Sequence, residues 1–175
     1  MRIISGKYRG LKLCEFDGKD IRPTADRVKE SLFNILYPHI AGARVLDMFC
    51  GSGNLGIECI SRGASFVHFN DISKDSLAVL KKNLSRIEGG FKITNCDFSC
   101  CIREGDLYDI IFIDPPYASD AGIKALKIIP NHLSGDGIAV FERDRAFEGE
   151  IAGLEKYDER KYGKTYLSFF KKGEI

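Results

Sequence analysis

Residues 43–56, ARVLDMFCGSGNLG, decide the fold of this chain. The run ARVLDM (43–48) is typical of a buried strand, and three glycines follow it at the spacing G-x-G-x-x-G (51–56). The pattern then predicts a helix over 54–62, which Gly63 ends. Glycines at such a turn let the backbone bend tightly and approach a ligand closely. A turn without a ligand shows the same pattern, so the glycines alone assign no function.

The rest of the chain alternates strand and helix signals. Strands are predicted at 66–70, 91–96, 108–113 and 137–142, and helices from Ser73 to about Arg86 and near 119–129. Two more strands, near 154–160 and 164–170, join at Tyr162-Gly163, so one strand should run antiparallel at or near an edge. This alternation predicts an α/β fold, a doubly wound, seven-stranded, mostly parallel sheet.

The N-terminal segment differs from the rest in charge. Residues 2–16 have the pattern of a β-hairpin, and residues 1–12 hold four basic residues and no acid: Arg2, Lys7, Arg9 and Lys12. A helix should follow, capped by Thr24, apolar on one face and ended by Pro38. We expect one domain over 1–175, with a basic arm (1–22) that overhangs the active site of the core (23–175). The basic residues suit either a nucleic acid or a solvated edge.

Composition bounds the class of protein. The chain has 175 residues, 44% of them hydrophobic, and a net charge of +1, which suits one well-packed domain without a global field for nucleic acid. It contains neither a secretory signal nor an apolar run long enough to span a bilayer, so we expect a cytoplasmic protein with no membrane partner. The six cysteines are expected to be reduced thiols, mostly in the core. Widely separated histidines favour no metal site.

Acidic residues near the predicted glycine turn point to a cofactor. Asp71 ends the second strand, 20 residues after Gly51, where a carboxylate binds both hydroxyls of a ribose. Asp47 would repel a pyrophosphate but suits a sulfonium or amino-acid group, which favours S-adenosylmethionine over NAD or FAD. Asp47 as a structural cap of the turn is the alternative. Asp97 and Phe98, after the third strand, would bind an adenine, unless they form a plain strand exit.

The tetrapeptide Asp114-Pro115-Pro116-Tyr117 follows the fourth strand and carries the most chemical information. Its prolines stiffen the loop and lack amide donors, so carbonyls and the Asp114 carboxylate are available as acceptors for a substrate. Tyr117 offers a flat face on which an extruded base would stack. Acceptors that hold the N–H bonds of an exocyclic amine make its nitrogen a better nucleophile for methyl transfer. A proline-rich surface turn is the alternative.

These motifs together resemble a known family. The stretches RIISGKYRG, RPTADRVKESLFNIL, VLDMFCGSGNLGIECISRGA and KYGKT, with the D-P-P-Y loop, are similar to the bacterial 16S ribosomal RNA guanine-N(2) methyltransferases, class I enzymes that use S-adenosylmethionine. The resemblance covers almost the whole chain, and its N-terminal part is the most specific. Two residues depart from the family pattern. Cys50 stands where alanine is expected, and Asp71 where glutamate is common, which shortens the reach to a ribose.

The resemblance implies a role for each site residue. Asp114 through Tyr117 would form the catalytic loop, and the arm would contact RNA through Arg2, Lys7 and Arg9. The residues expected to bind the cofactor are Arg22, Thr24, Asp47, Gly51, Gly53, Asp71, Asp97 and Phe98. The expected substrate is the N2 amine of one guanine in 16S rRNA, presented as RNA, as the small ribosomal subunit or as its assembly intermediate, and the expected enzyme is a monomer.

Three other functions use some of the same residues. An adenine- or cytosine-amino methyltransferase acting on DNA would need the same tetrapeptide, although the short chain leaves no room for a separate target-recognition domain. A non-catalytic RNA-binding assembly factor could keep the fold. An NAD-dependent oxidoreductase fits only if Asp47 and the proline pair are ignored.

Overall fold

The computed structural model describes residues 1–15, 23–116 and 119–173 and, for residues 23–25, the backbone only. The helices of this part are α1 (Pro23–Ile40), α2 (Asn54–Ser61), α3 (Lys74–Leu84) and α4 (Ala121–Ile128). Its strands are β1 (Arg44–Asp47), β2 (Phe66–Asn70), β3 (Phe91–Thr94), β4 (Tyr108–Ile113), β5 (Leu133–Arg143), β6 (Leu154–Tyr162) and β7 (Thr165–Lys172). Among the described residues, no helix is both long and apolar enough to cross a membrane.

The strands form one sheet in the order β3-β2-β1-β4-β5-β7-β6. Strands β1 to β5 pair in parallel, and β7 pairs antiparallel with both β5 and β6. The chain builds outward from β1 in one direction and from β4 in the other. The carboxyl ends of β1 and β4 therefore flank the switch point at which open α/β sheets bind ligands. The predicted doubly wound sheet is confirmed, and its antiparallel strand lies one position from the edge.

Apolar side chains cover both faces of the sheet. We name them the α1 face, where Val45 and Phe112 join the core beneath α1, α2 and α3, and the α4 face, where Leu46 and Ile113 pack against α4. Successive residues of a strand alternate between the two faces. Burial on both sides explains why the central strands read as continuous apolar runs rather than as alternating ones.

Three local predictions were wrong in their bounds. Helix α1 begins at Pro23, before the predicted cap Thr24, and runs through Pro38 to Ile40. Proline is tolerated there because it removes one hydrogen bond from a turn that ends two residues later. Strand β5 begins at Leu133 rather than at 137. A register shift in its pairing with β4 accommodates the polar, glycine-rich residues between Leu133 and Ile138. The expected hairpin at 2–16 pairs its two segments in antiparallel fashion but has only one bridge among the described residues, between Arg2 and Lys12, and residue 16 lies outside them.

A buried ion pair holds the N-terminal arm, of which residues 1–15 are described, against α2. Glu58, fully buried, accepts hydrogen bonds from the backbone N–H groups of Ile4 and Ser5 at 2.9 and 3.0 Å. It also accepts from Lys29 Nζ and Arg62 Nε, both at 2.8 Å. Burial is the largest single influence and opposes the charge of this carboxylate, but Lys29, the Ile4 N–H and Arg62 together outweigh it and lower the pKa of Glu58. The first residues of the chain are therefore part of the interior.

The tip of the arm packs against the far end of α2, away from the glycine turn. Gly6 has φ +85°, and a Cβ there would stand 1.8 Å from the carbonyl oxygen of Ser61, the last residue of α2. The Lys7 N–H donates to that carbonyl at 2.8 Å, and the Tyr8 N–H donates to Ser61 Oγ at 3.0 Å. Such a close approach of two backbones requires a glycine.

Candidate active site

The glycine turn lies at the carboxyl end of β1, at the switch point of the sheet. Gly51 and Gly53 have φ +53° and +85°, values that favour glycine. A Cβ at Gly51 would project into open space, whereas one at Gly53 would clash with Leu80 at 2.3 Å. A Cβ at Gly56 would clash with Phe69 at 2.2 Å. The first glycine thus exposes backbone to a ligand, and the other two let α2 pack closely.

Asp47 supports this turn from the end of β1. Its Oδ2 accepts the Gly56 N–H at 2.9 Å, a hydrogen bond to the first turn of α2, which no side chain of its own caps. The carboxyl group is buried, and this burial, more than the opposing Gly56 bond, raises its pKa from 3.8 to about 7. Asp47 therefore caps the turn, one of the two roles considered above, and its contact with a cofactor stays a prediction. A cationic ligand nearby would favour the ionised form of this carboxyl group and so lower its pKa.

Asp71 connects the turn to the end of β2. Its Oδ2 accepts the Gly51 N–H at 2.8 Å, and its Oδ1 accepts the Ser73 N–H at 2.8 Å. Each carboxylate oxygen retains a lone pair for a ribose hydroxyl. The next residue, Ile72, is 71% exposed at this polar edge and was not predicted. An apolar side chain left open beside a fixed carboxylate suits the flat face of a nucleoside.

Asp97 and Phe98 lie beyond the end of β3, at the same edge. Asp97 Oδ1 accepts from the N–H and the Oγ of Ser99, at 3.0 and 2.5 Å, and these bonds lower the pKa of the carboxyl group. The side chain is exposed. Phe98 packs against Phe49, with ring centroids 5.4 Å apart. The structure thus brings an ionised carboxylate and an aromatic pair to the side of the glycine turn, where an adenine was expected.

The proline corner, residues 114–116, follows β4 on the other side of the switch point. Asp114 is half-buried, Pro115 is buried and Pro116 is exposed. The Pro116 carbonyl already accepts two hydrogen bonds from Ser119, from its N–H at 3.1 Å and its Oγ at 2.9 Å. A cavity of about 290 Å³ opens beside the corner, bounded by both prolines and by Phe141 and Glu142 from β5.

Several contacts at the site join residues far apart in sequence and were not predicted. Lys29, 3% exposed, donates to the Arg2 carbonyl at 3.1 Å and to Asn54 Oδ1, at the start of α2, at 2.7 Å. It links the arm to the glycine turn. Asp26, three residues earlier in α1, has a buried Oδ1 for which the described residues supply no hydrogen-bond partner. A buried acceptor of this kind is available to a ligand with N–H groups.

The basic residues of the arm have different surroundings. Lys7 Nζ lies 2.8 Å from the carboxylate of Glu88, in the loop before β3, and both side chains are exposed. Arg2 and Arg9 are exposed as well, and among the described residues neither forms an ion pair. Because the tip docks at the far end of α2, Lys7 lies away from the glycine turn, and the carboxylate of Glu88 opposes its positive charge.

The remaining predicted residues are only partly described. Arg22 and Tyr117 lie outside the described residues, and so does the side chain of Thr24, whose backbone is in the first turn of α1. Cys50 is buried, and burial raises the pKa of its thiol far above the usual range, which disfavours the reactive thiolate form. In residues 1–15, 23–116 and 119–173, no three His, Cys, Asp or Glu side chains group as metal ligands would.

The sequence as a whole matches the model of one protein family. That family, described as Conserved hypothetical protein 95, covers residues 1–171. The chain belongs to it. The Bacillus subtilis member YlbH, named as a candidate rRNA methyltransferase, is 35% identical over 182 residues, which cover 98% of this chain and 99% of YlbH.

Two further relatives carry the name ribosomal RNA small subunit methyltransferase D. The Haemophilus influenzae protein is 37% identical over 135 residues, covering 74% of this chain and 70% of the relative. The Escherichia coli K12 protein is 40% identical over 119 residues, covering 67% of this chain and 60% of the relative. The family resemblance predicted from the motifs is confirmed.

Solved structures give the same result for the fold. YhhF of Escherichia coli, a candidate methyltransferase, superposes with a TM-score of 0.89 at 30% identity and covers 100% of this chain and 99% of its own. The Thermus thermophilus 16S rRNA N2 G1207 methyltransferase RsmC, solved with AdoMet and guanosine, matches with a TM-score of 0.70 at 19% identity over 90% of this chain and 45% of RsmC. The fold is that of the class I methyltransferases.

Proposed function

We propose that this protein transfers a methyl group from S-adenosylmethionine to the N2 amine of one guanine in 16S rRNA. One observation supports this most strongly. The corner Asp114-Pro115-Pro116, a set of acceptors for an amine, stands across the switch point from a glycine turn edged by carboxylates, in a chain related to enzymes named for methylation of small-subunit rRNA. The substrate would be 16S RNA, free or within the small subunit or its assembly intermediate.

The residues at the carboxyl ends of β1 to β3 fit S-adenosylmethionine. Asp71 would accept the ribose hydroxyls, Ile72 and Phe98 would flank the adenine, and Asp97 would accept from its amino group. Asp47 and the buried Oδ1 of Asp26 suit the positively charged part of the molecule. Open space in front of Gly51 leaves its backbone accessible. Arg22 and Thr24 would close over the cofactor. When bound, the cofactor supplies an electrophilic methyl group on a sulfonium.

The corner would prepare the amine for attack. The nitrogen lone pair of a guanine amine is delocalised into the ring, and acceptors on its N–H bonds favour a pyramidal, nucleophilic geometry. Asp114 is one such acceptor. The other is the Pro115 carbonyl, because the Pro116 carbonyl is engaged by Ser119. These two acceptors would hold the amine in line with the methyl group that the cofactor supplies, and the proton that the methylated nitrogen must lose would pass to water. Tyr117 would stack on the base.

RNA binding would use the exposed basic residues of the arm. Arg2 and Arg9 would contact phosphates directly, whereas Lys7 would first have to leave Glu88. Electrostatic contacts of this kind position an RNA without reading its sequence.

Product analysis tests the proposal. The purified protein is incubated with isotope-labelled S-adenosylmethionine and, in separate reactions, small ribosomal subunits, naked 16S RNA and duplex DNA lacking amino methylation. We expect N2-methylguanine in one or both RNA reactions and no label in DNA. Methyladenine or methylcytosine in DNA would replace the proposal with its DNA-acting alternative. Binding of RNA without binding of S-adenosylmethionine, measured by calorimetry, would instead favour the assembly factor.

A further inference from the structure

A second carboxylate, that of Glu142, lies beside Asp114 at the end of the neighbouring strand. In the parallel pair β4–β5 the last register partners are Ile113 and Phe141, both in the core on the α4 face. The following residues are Asp114 and Glu142. Because side chains alternate between faces, Glu142, which lies within β5, belongs to the α1 face. Asp114 directly follows β4, the neighbouring strand, and adjacent strands are about 4.8 Å apart. Glu142 also pairs in register with Leu167 of β7, which is in the α1-face core.

Glu142 is also placed to reach a base that the corner holds. It is half-buried, and it bounds the cavity next to the two prolines. The other carboxylates of this cavity are less well placed. Asp120 immediately precedes α4, and Asp144 lies beyond the end of β5. Of the three, Glu142 alone follows the strand register next to Asp114.

The edge of guanine that carries the reacting amine presents two kinds of donor. The N2 amine and the N1–H are neighbours on this edge, so a site that binds the amine must also supply a hydrogen-bond acceptor for N1–H. In adenine and in 2-aminopurine the ring nitrogen beside the amine has a lone pair and no hydrogen. A carboxylate would accept N1–H from guanine but repel the lone pair of the other two bases. It would therefore favour guanine by attraction and disfavour adenine and 2-aminopurine by repulsion.

We propose that Glu142 accepts the N1–H of the target guanine and so restricts methylation to guanine. This inference rests on the proposed function, since it requires the N2 amine of guanine to be the acceptor of the methyl group. Asp114 accepts a hydrogen bond from the amine, and Glu142 accepts one from the ring nitrogen beside it.

The test compares two bases in one RNA. Mass spectrometry first locates the methylated guanine, and that site is then rebuilt with either guanine or 2-aminopurine, which keeps the N2 amine and lacks N1–H. Single-turnover rates are measured for wild type, Glu142→Gln and the control Glu148→Gln, which changes an exposed carboxylate that does not bound the cavity. We expect Glu142→Gln to slow methylation of guanine about 10- to 100-fold. Its rate on 2-aminopurine should stay equal to wild type or rise, because the amide N–H donates to the bare ring nitrogen. Glu148→Gln should leave both rates unchanged.

Three results would overturn the inference. Equal slowing of both RNAs by Glu142→Gln would show that Glu142 only supports the corner. Unchanged rates on guanine would show that it does not touch the base. A wild-type product other than N2-methylguanine would remove the proposed function itself, and the mass of the product distinguishes this result from the first two. Melting temperature and cofactor affinity, measured for every variant, exclude a loss of folding as the cause of a slow rate.

Discussion

The two halves of the sheet's carboxyl edge are built differently. Over β1 to β3, each acidic side chain is held by backbone N–H groups: Asp47 by Gly56, and Asp71 by Gly51 and Ser73. Over β4 and β5, the prolines supply no N–H, and the edge borders an open cavity. The first half is fixed before any ligand arrives, as a cofactor site must be to position a methyl group. The second half offers acceptors and space, which suit a base that enters and leaves.

The largest expected effect comes from the corner. Replacing Asp114 by alanine should slow single-turnover methyl transfer about 10²- to 10³-fold, the typical loss for one preorganised electrostatic group. The Kd for S-adenosylmethionine, measured by calorimetry, should stay close to wild type. The control is Asp120→Asn, which removes a nearby exposed charge and should leave the rate unchanged. A large loss of cofactor affinity in Asp114→Ala would contradict the assignment of the cofactor to β1 to β3 and of the base to β4 and β5.

The converse effect is expected from Asp71. Replacing it by alanine removes a charged acceptor of two backbone hydrogen bonds and of the ribose, so the Kd for the cofactor should rise about 10- to 100-fold. The rate at saturating cofactor should change little. The matched control, Asp75→Ala, removes an exposed acid in the first turn of α3. If Asp71→Ala lowers the saturated rate as strongly as Asp114→Ala does, the edge acts as one unit.

A pH dependence should come from Asp47, whose pKa burial raises to about 7. Below pH 7 the carboxyl group takes up a proton and loses its attraction for a cation, so affinity for the cofactor should fall by up to about tenfold per pH unit. Calorimetry between pH 5.5 and 8.5 measures it, and Asp47→Asn should abolish the dependence. A flat wild-type profile would mean that the cation lies away from Asp47.

The raised pKa of Asp47 also predicts how the stability of the protein without cofactor depends on pH. The folded state keeps the Asp47 proton between pH 3.8 and about 7, where the unfolded chain has lost it. The free energy of unfolding should therefore decrease as pH rises through this range. Denaturant titration of wild type and Asp47→Asn compares the slopes, and equal slopes would contradict the assignment.

The smallest effect concerns the arm. Replacing Arg9 by alanine should reduce the slope of log K for RNA binding against log salt by about one unit or less. Lys7→Ala should change it less, because Glu88 already neutralises that ammonium. Filter binding at several salt concentrations compares the two. A larger change in Lys7→Ala than in Arg9→Ala would indicate that the lysine leaves Glu88 to bind a phosphate.

The features that could be predicted from the sequence are those that depend on residues adjacent in the chain. The glycine turn, Asp71 and the proline corner each follow an apolar strand directly, and topology brings all strand ends of one direction to one edge. The same reasoning placed β2 and β4 at their observed bounds, because aromatic and β-branched residues dominate both segments.

Contacts between distant residues could not be predicted in this way. Glu58 meets Ile4 across 54 positions, and no local pattern marks either residue as a partner. Ile72 is a single apolar residue in a polar turn, so only its exposure in the fold distinguishes it. The start of β5 was missed because Gly135 and Gly137 are typical of loops, and pairing with β4 overrides that preference.

The buried carboxylate of Glu58 determines how the arm can be studied. A chain shortened by its first five residues would lose two of the four donors that surround this charge, and a hydrogen bond to a charged group contributes about 1.5 to 3 kcal/mol. Truncation would therefore report on misfolding before it reported on RNA. Reversing the sign of an exposed residue such as Arg9 leaves that interior intact and separates the two effects.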